Sequence, residues 1–291
     1  MSLIDFILNL AGLLLWVNWR SVPHDPLATA TPATLAGTLR RAAPARVKRW
    51  HFLAALASLL VLRAFFYRAV GTALSWTGQL DVVATRLSFP SDFLQWMLLY
   101  SALSFALALF TFFLWLMLIS LLDTSDVAEA LPTHLARVQL GPLHRWPKWL
   151  GLALPFVAGT LLWWSVTWPL AKWGLIPRPV SELDHFAQSA LVGLGAYLAW
   201  KYLLAALLIL HLLNNHIYFG RHPMWSYVNV TARRVLVPLR WLPLQVGRVD
   251  FAPLAGLVLI FFVAHIAEQG LALFGGYRVL GLAEMYRNLS R

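Results

Sequence analysis

The stretch 237–262, VPLRWLPLQVGRVDFAPLAGLVLIFF, decides how this chain is built. Prolines at 238 and 243 interrupt any helix, because proline lacks an amide donor and clashes with the preceding turn. Arg240 and Arg248 hold the same segment among water and lipid phosphates. Asp250 then stands just before an apolar run, where a carboxylate favours a helix N-terminus, and Pro253 suits the first turn of that helix. The segment reads as a stop, an anchor and a start between two membrane helices. A second stretch, GPLHRWPKWLGLALPFVAGTLLWW at 141–164, has the same form.

Working outward, the 291 residues are 60% hydrophobic and only 12% charged, where soluble domains carry roughly 25% charged residues. Apolar runs predict helices near 3–19, 51–75, 93–122, 149–171, 187–213 and 251–274. They approach or exceed the ~20 residues needed to span a bilayer, and lipid forces such runs to satisfy their backbone groups as helices. The expected fold is therefore all-α: a polytopic membrane protein of about six transmembrane helices. Trp16, Trp19, Trp96, Trp168, Trp173 and Trp225 fall near predicted ends, as an aromatic belt does. The start, MSLIDFILNLAGLLLWVNWR, carries Asp5 and lacks a basic leader, so 3–19 is expected to be a retained helix rather than a cleaved signal. With no cysteine, disulfides, thiolate-held metal and a cysteine nucleophile are excluded. The net charge of +11 fits positive loops against anionic lipid, and no nucleic-acid partner is expected.

Lys and Arg are distributed unevenly. Fourteen lie in the connections 20–50, 123–148 and 214–250, and seven in the alternate ones and the tail. The positive-inside rule then puts both termini on the non-cytoplasmic side. Sliding the sequence by 96 residues aligns Arg41, Arg137 and Arg233. The same shift matches Ala136 with Ala232, Leu140 with Leu236, Pro142 with Pro238 and Pro147 with Pro243. The chain is thus read as three tandem two-helix repeats, 1–75, 93–171 and 187–274, followed by an amphipathic tail at 275–291. In each repeat, Pro32, Pro132 or Pro223 is expected to open a short amphipathic helix on the cytoplasmic surface. An irregular solvated loop is the alternative. Arg41, Arg137, Arg233 and Arg234 are expected to meet lipid phosphates. Val279, Leu282, Tyr286 and Leu289 place one apolar face along the tail.

The turn formed by Pro238, Leu239, Arg240, Pro243, Gly247, Asp250 and Pro253 resembles that of the YggT (YlmG) family of integral membrane proteins. The likeness is fullest over 187–274. The second repeat keeps Pro142, Arg145, Pro147 and Pro155 but has Leu154 at the aspartate position, and the first keeps little beyond its basic cluster and Trp50. Typical relatives carry one or two such hairpins, so three is a departure. The resemblance implies a bacterial cytoplasmic membrane or a plastid thylakoid, and no agreed biochemical activity. Associations with division, osmotic tolerance and haem attachment to a cytochrome come with it, but no active site.

Ionisable groups inside spans are functional candidates, since each costs about 2.5–3.5 kcal/mol to insert. They are Arg63, Lys201, His211, His265 and Glu268. Lys201 is expected to pair with Glu268, and His265 lies one turn before that carboxylate on the same face. Such a cluster either relays protons or an anion, or simply fixes helix packing. His211, His216 and His222 are spaced by five and six, which does not stack them on one helix face. No metal or cofactor is predicted, although haem or pigment is left open. A phosphate loop, a dinucleotide fingerprint and a nucleophile elbow are all missing from the sequence. GLGA at 193–196 reads as a close helix contact. The functional expectation is a non-catalytic accessory, stabilising or assembly subunit of a larger membrane complex, partnered by lipid and other membrane proteins. A small transporter or channel using Lys201 and Glu268 is the alternative.

Overall fold

The computed structural model describes residues 2–21, 48–74, 76–82, 85–123, 131–179, 181–217, 223–239, 241, 244–246, 249–272 and 278–289. Among these, six helices are long and apolar enough to cross a membrane. They are α1 (Ser2–Ser21), α2 (Arg49–Leu74), α3 (Leu94–Leu122), α5 (Lys148–Lys172), the run of α6 (Glu182–Gly195) into α7 (Trp200–His216), and α9 (Ala252–Gln269). Shorter helices α4 (Leu131–Leu140), α8 (Pro223–Val235) and α10 (Leu282–Leu289) complete the helical set. The chain is a predominantly helical, multi-pass membrane protein. It forms two compact units, 1–77 with 90–109, and 78–89 with 110–291.

In the first unit, α1 packs along α2. Arg49 Nε donates to the Trp19 carbonyl at 2.9 Å, tying the end of one helix to the start of the next. Gly12 lets Phe105 approach so closely that a Cβ there would stand 2.7 Å from the ring. Tyr67, Trp76 and Tyr100 form an aromatic trio with centroids 5.4–5.9 Å apart.

In the second unit, α5 and α6 are held by small residues. A Cβ on Gly159 would lie 3.0 Å from the Gly193 Cα, and one on Gly193 would collide with Thr160 Oγ1. Lipid offers no hydrophobic drive between helices, so this close backbone approach supplies the attraction. It is the contact expected from GLGA. A 3₁₀ turn, Ala196–Ala199, joins α6 to α7. Two indoles brace the junction: Trp115 Nε1 donates to the Ala199 carbonyl at 2.9 Å, and Trp200 Nε1 to the Leu114 carbonyl at 3.0 Å.

Two of the three short surface helices form where prolines open them. Helix α4 carries Pro132 in its first turn and buries Ala136 and Leu140 against Leu116 of α3. Helix α8 starts at Pro223 and buries Ala232, with Leu236 just beyond its end, against Leu208 of α7. The segment around Pro32 and Arg41 lies outside the described residues.

Three small antiparallel hairpins depart from the purely helical expectation. The first, β1 (Gly78–Val82) with β2 (Thr85–Phe89), buries Leu80, Val82, Leu87 and Phe89 on one face. The second is β3 (Gln245–Val246) with β4 (Val249–Asp250). The third, β5 (Gly270–Ala272) with β6 (Arg278–Leu280), ends the last span at Gln269 rather than near 274. Gly270 adopts φ +81°, a left-handed conformation that stops the helix without steric cost. Val279 therefore belongs to a strand, and α10 carries only Leu282, Tyr286 and Leu289 of the apolar face read along the tail. Tyr286 packs edge-on against Trp163, and burial pushes its phenol above the ordinary tyrosine range. Gln188 Nε2 donates to the Leu289 carbonyl at 2.9 Å.

Candidate functional site

Each unit has its own ion pair inside the membrane helices. In the first, Arg63 lies near the middle of α2 and is 2% exposed. Its guanidinium makes four hydrogen bonds: Nε to Tyr67 Oη at 3.2 Å, Nη1 to Asn9 Oδ1 at 2.6 Å, and Nη2 to Asp5 Oδ1 and Ser104 Oγ, both at 2.8 Å. Asp5 Oδ1 also accepts from the Tyr67 hydroxyl, and Oδ2 from the Tyr100 hydroxyl at 3.1 Å. Asn9 Nδ2 donates to Ser104 Oγ at 3.2 Å. The Arg63 guanidinium also stands 5.3 Å and 5.8 Å from the ring centroids of Tyr67 and Tyr100.

Helical geometry explains how α1, α2 and α3 build this cluster. Asp5 and Asn9, like Arg63 and Tyr67 or Tyr100 and Ser104, are four apart and share one helix face. A buried ion costs several kcal/mol of lost hydration, offset only when its partner and remaining hydrogen bonds are well placed. Here both carboxylate oxygens are engaged and the cation is ringed by acceptors. The arrangement is a three-helix cross-link in which the guanidinium is sealed from solvent.

In the second unit, Lys201 Nζ donates to Glu268 Oε2 at 3.2 Å, joining α7 to α9 as expected. The setting differs sharply. The Glu268 side chain is 37% exposed and that of Lys201 16%. Beyond the carboxylate, the ammonium has, among the described residues, only the Tyr202 ring, centred 5.2 Å away. His265 is exposed and makes no hydrogen bond or ion pair among the described residues, so the expected three-member cluster is a pair there. His211 is 3% exposed and engaged by both ring nitrogens, Nδ1 with Asn229 Oδ1 at 2.8 Å and Nε2 with Asn215 Nδ2 at 3.5 Å.

In the turn motif, Asp250 Oδ1 accepts from the Ala252 amide at 2.8 Å and opens α9, while Pro253 is buried in its first turn. Pro238 is exposed in the 3₁₀ turn Val237–Leu239. Arg240 and Pro243 lie outside the described residues, as does Arg41. Arg233 and Arg234 are exposed in the last turn of α8, whereas Arg137 pairs with Asp123 at 3.4 Å. No group of three or more His, Asp or Glu suited to a metal occurs among the described residues.

Sequence reading had identified Arg63 but not its partners. Asp5 was a visible signal, being a lone acid in an apolar helix beside a lone mid-span base. Asn9, Tyr67, Tyr100 and Ser104 carry no such mark, because only tertiary packing brings them to the guanidinium. No family model, curated protein or solved structure matches this chain.

Proposed function

We propose that this protein is a non-catalytic, multi-pass accessory subunit that stabilises or helps assemble a larger membrane complex. One observation carries the reading: the Lys201–Glu268 pair, inside two membrane helices, leaves its carboxylate 37% exposed. Hydrocarbon cannot hydrate that edge, so a polar surface of another membrane protein is the cover that best satisfies it. The spans themselves are little buried by one another, with 6–28% of their apolar windows enclosed, which leaves wide faces for lipid and partners. The same open pair supports the second reading, a small transporter or channel in which Lys201 and Glu268 contact the solute.

The proposed setting is a bacterial cytoplasmic membrane with both termini on the non-cytoplasmic face, following the basic loops. Kinship with the YggT family rests on the turn, where Asp250 accepts from the first amide of α9 and Pro253 fills its first turn. The tandem-repeat reading draws support from burial: Ala136 and Ala232 are both fully buried, and Leu140 and Leu236 are each 6% exposed, at the 96-residue offset.

The test is purification from native membranes in gentle detergent, with co-purifying proteins identified by mass spectrometry. Stoichiometric membrane partners, lost in Lys201→Ala and Glu268→Ala, are the expected result. A protein that always purifies alone, with solute flux in vesicles that Lys201→Ala abolishes, would replace this reading with the transporter.

A further inference from the structure

Outside both ion pairs, the end of α5 and the start of α6 enclose a cavity of about 560 Å³. Its wall includes Trp168 and Lys172 from α5, Arg178 from the connection, and Ser181, Glu182 and His185 at the N-terminus of α6. Several features converge there. Lys172 and Arg178 are exposed, and neither makes an ion pair among the described residues. Lys172 Nζ stands 5.6 Å from the Trp168 ring centroid, which holds the ammonium at the cavity edge. His185 is 9% exposed and stacked on Trp164 at 4.0 Å, and its Nε2 is buried with no hydrogen-bond partner among the described residues.

That nitrogen has almost no accessible surface and does not open on the cavity, so the polar character of the wall comes from Lys172, Arg178, Ser181 and Glu182. The N-terminus of α6 adds positive backbone potential. Of its first amides, that of Asp184 is taken by the Ser181 hydroxyl at 3.1 Å, and Asp184 itself turns back to accept from that hydroxyl at 2.7 Å. Among the charged wall residues, two cations then face one carboxylate, Glu182. The volume is many times the ~30 Å³ a water occupies.

We propose that this cavity binds a phosphate-bearing anion, with Arg178 and Lys172 as its cationic contacts. The guanidinium fork matches two phosphate oxygens, and the ammonium acts as a point charge beside it. The same chemistry describes a phospholipid headgroup, whose glycerol and chains would follow the Trp168 side, and a free phosphate anion.

Purified full-length protein in detergent, studied by native mass spectrometry and equilibrium titration, tests the site. The probes are phosphatidylglycerol, phosphatidylcholine, diacylglycerol and inorganic phosphate. Retention of the phosphate-bearing lipids over diacylglycerol is expected. Lys172→Gln with Arg178→Gln should weaken their binding about tenfold or more. Arg68→Gln with Lys148→Gln, which removes two exposed cations elsewhere, should leave it unchanged. Competition by inorganic phosphate at the concentration at which it binds alone identifies a free-anion site, and its failure to compete identifies a headgroup site. Equal retention of diacylglycerol, undiminished binding by the Lys172/Arg178 variant, or binding of none of the four probes would overturn the proposal.

Discussion

Arg63 and Lys201 are both cations placed within apolar helices, and both meet a carboxylate near 3 Å. Around Arg63, Asn9, Tyr67, Tyr100 and Ser104 complete the shell of cation and carboxylate, and the guanidinium is sealed. Around Lys201 there is one carboxylate, one aromatic face and an open side. The first pair is a finished structural element. The second is a polar edge that its own helices do not cover, which is why the proposed function rests on it. An ionisable residue in a span thus acquires meaning from how much of its hydrogen-bonding capacity the fold already uses.

Substitutions can break that comparison from either side. The largest effect is expected at Arg63: Arg63→Leu leaves the partly buried Asp5 to the Tyr67 and Tyr100 hydroxyls, and should cost about 3 kcal/mol in detergent unfolding. Replacing both Arg63 and Asp5 with methionine should recover most of that loss, because no unpaired charge remains. If Arg63→Leu alone were neutral, the cross-link would not be what holds α1, α2 and α3. Next comes the α5–α6 contact, where Gly193→Leu drives a side chain into Thr160 and should cost about 1–3 kcal/mol by overpacking. Asp250→Ala removes the bond to the Ala252 amide and should cost about 1 kcal/mol, read as a small drop in thermal midpoint.

The smallest stability effect is expected at the open pair, and it sharpens the contrast most. Lys201→Ala with Glu268→Ala should change unfolding by about 1 kcal/mol or less, because removing both partners leaves no unpaired charge. The same double variant should lose co-purifying membrane partners. A stability loss as large as that at Arg63 would mean that the Lys201 pair, too, is mainly an internal strut.

Much of the architecture is legible without coordinates because membrane insertion is governed by local rules. Twenty apolar residues suffice to declare a span, and the prolines and charges around Asp250 declare where it begins. Pro132 and Pro223 likewise mark the surface helices α4 and α8, since a missing amide donor is harmless only in a first turn. The errors occur at span ends, where capping and hairpin pairing rather than hydropathy decide. The fifth span starts at Glu182, earlier than hydropathy suggests, because Ser181 caps it through the Asp184 amide. The sixth stops at Gln269 because residues 278–280 return to pair with 270–272.

By itself, the sequence determined that this chain crosses a membrane repeatedly, where most of its helices begin, and which ionisable groups lie within apolar helices. Hydropathy and turn chemistry are properties of short windows, so they survive without a fold. Tertiary structure decided which charges are satisfied. Asp5 and Arg63 are 58 residues apart, and Lys201 and Glu268 are 67 apart. Only packing brings such groups within reach, and only packing can seal the Arg63 guanidinium while leaving the Glu268 carboxylate open.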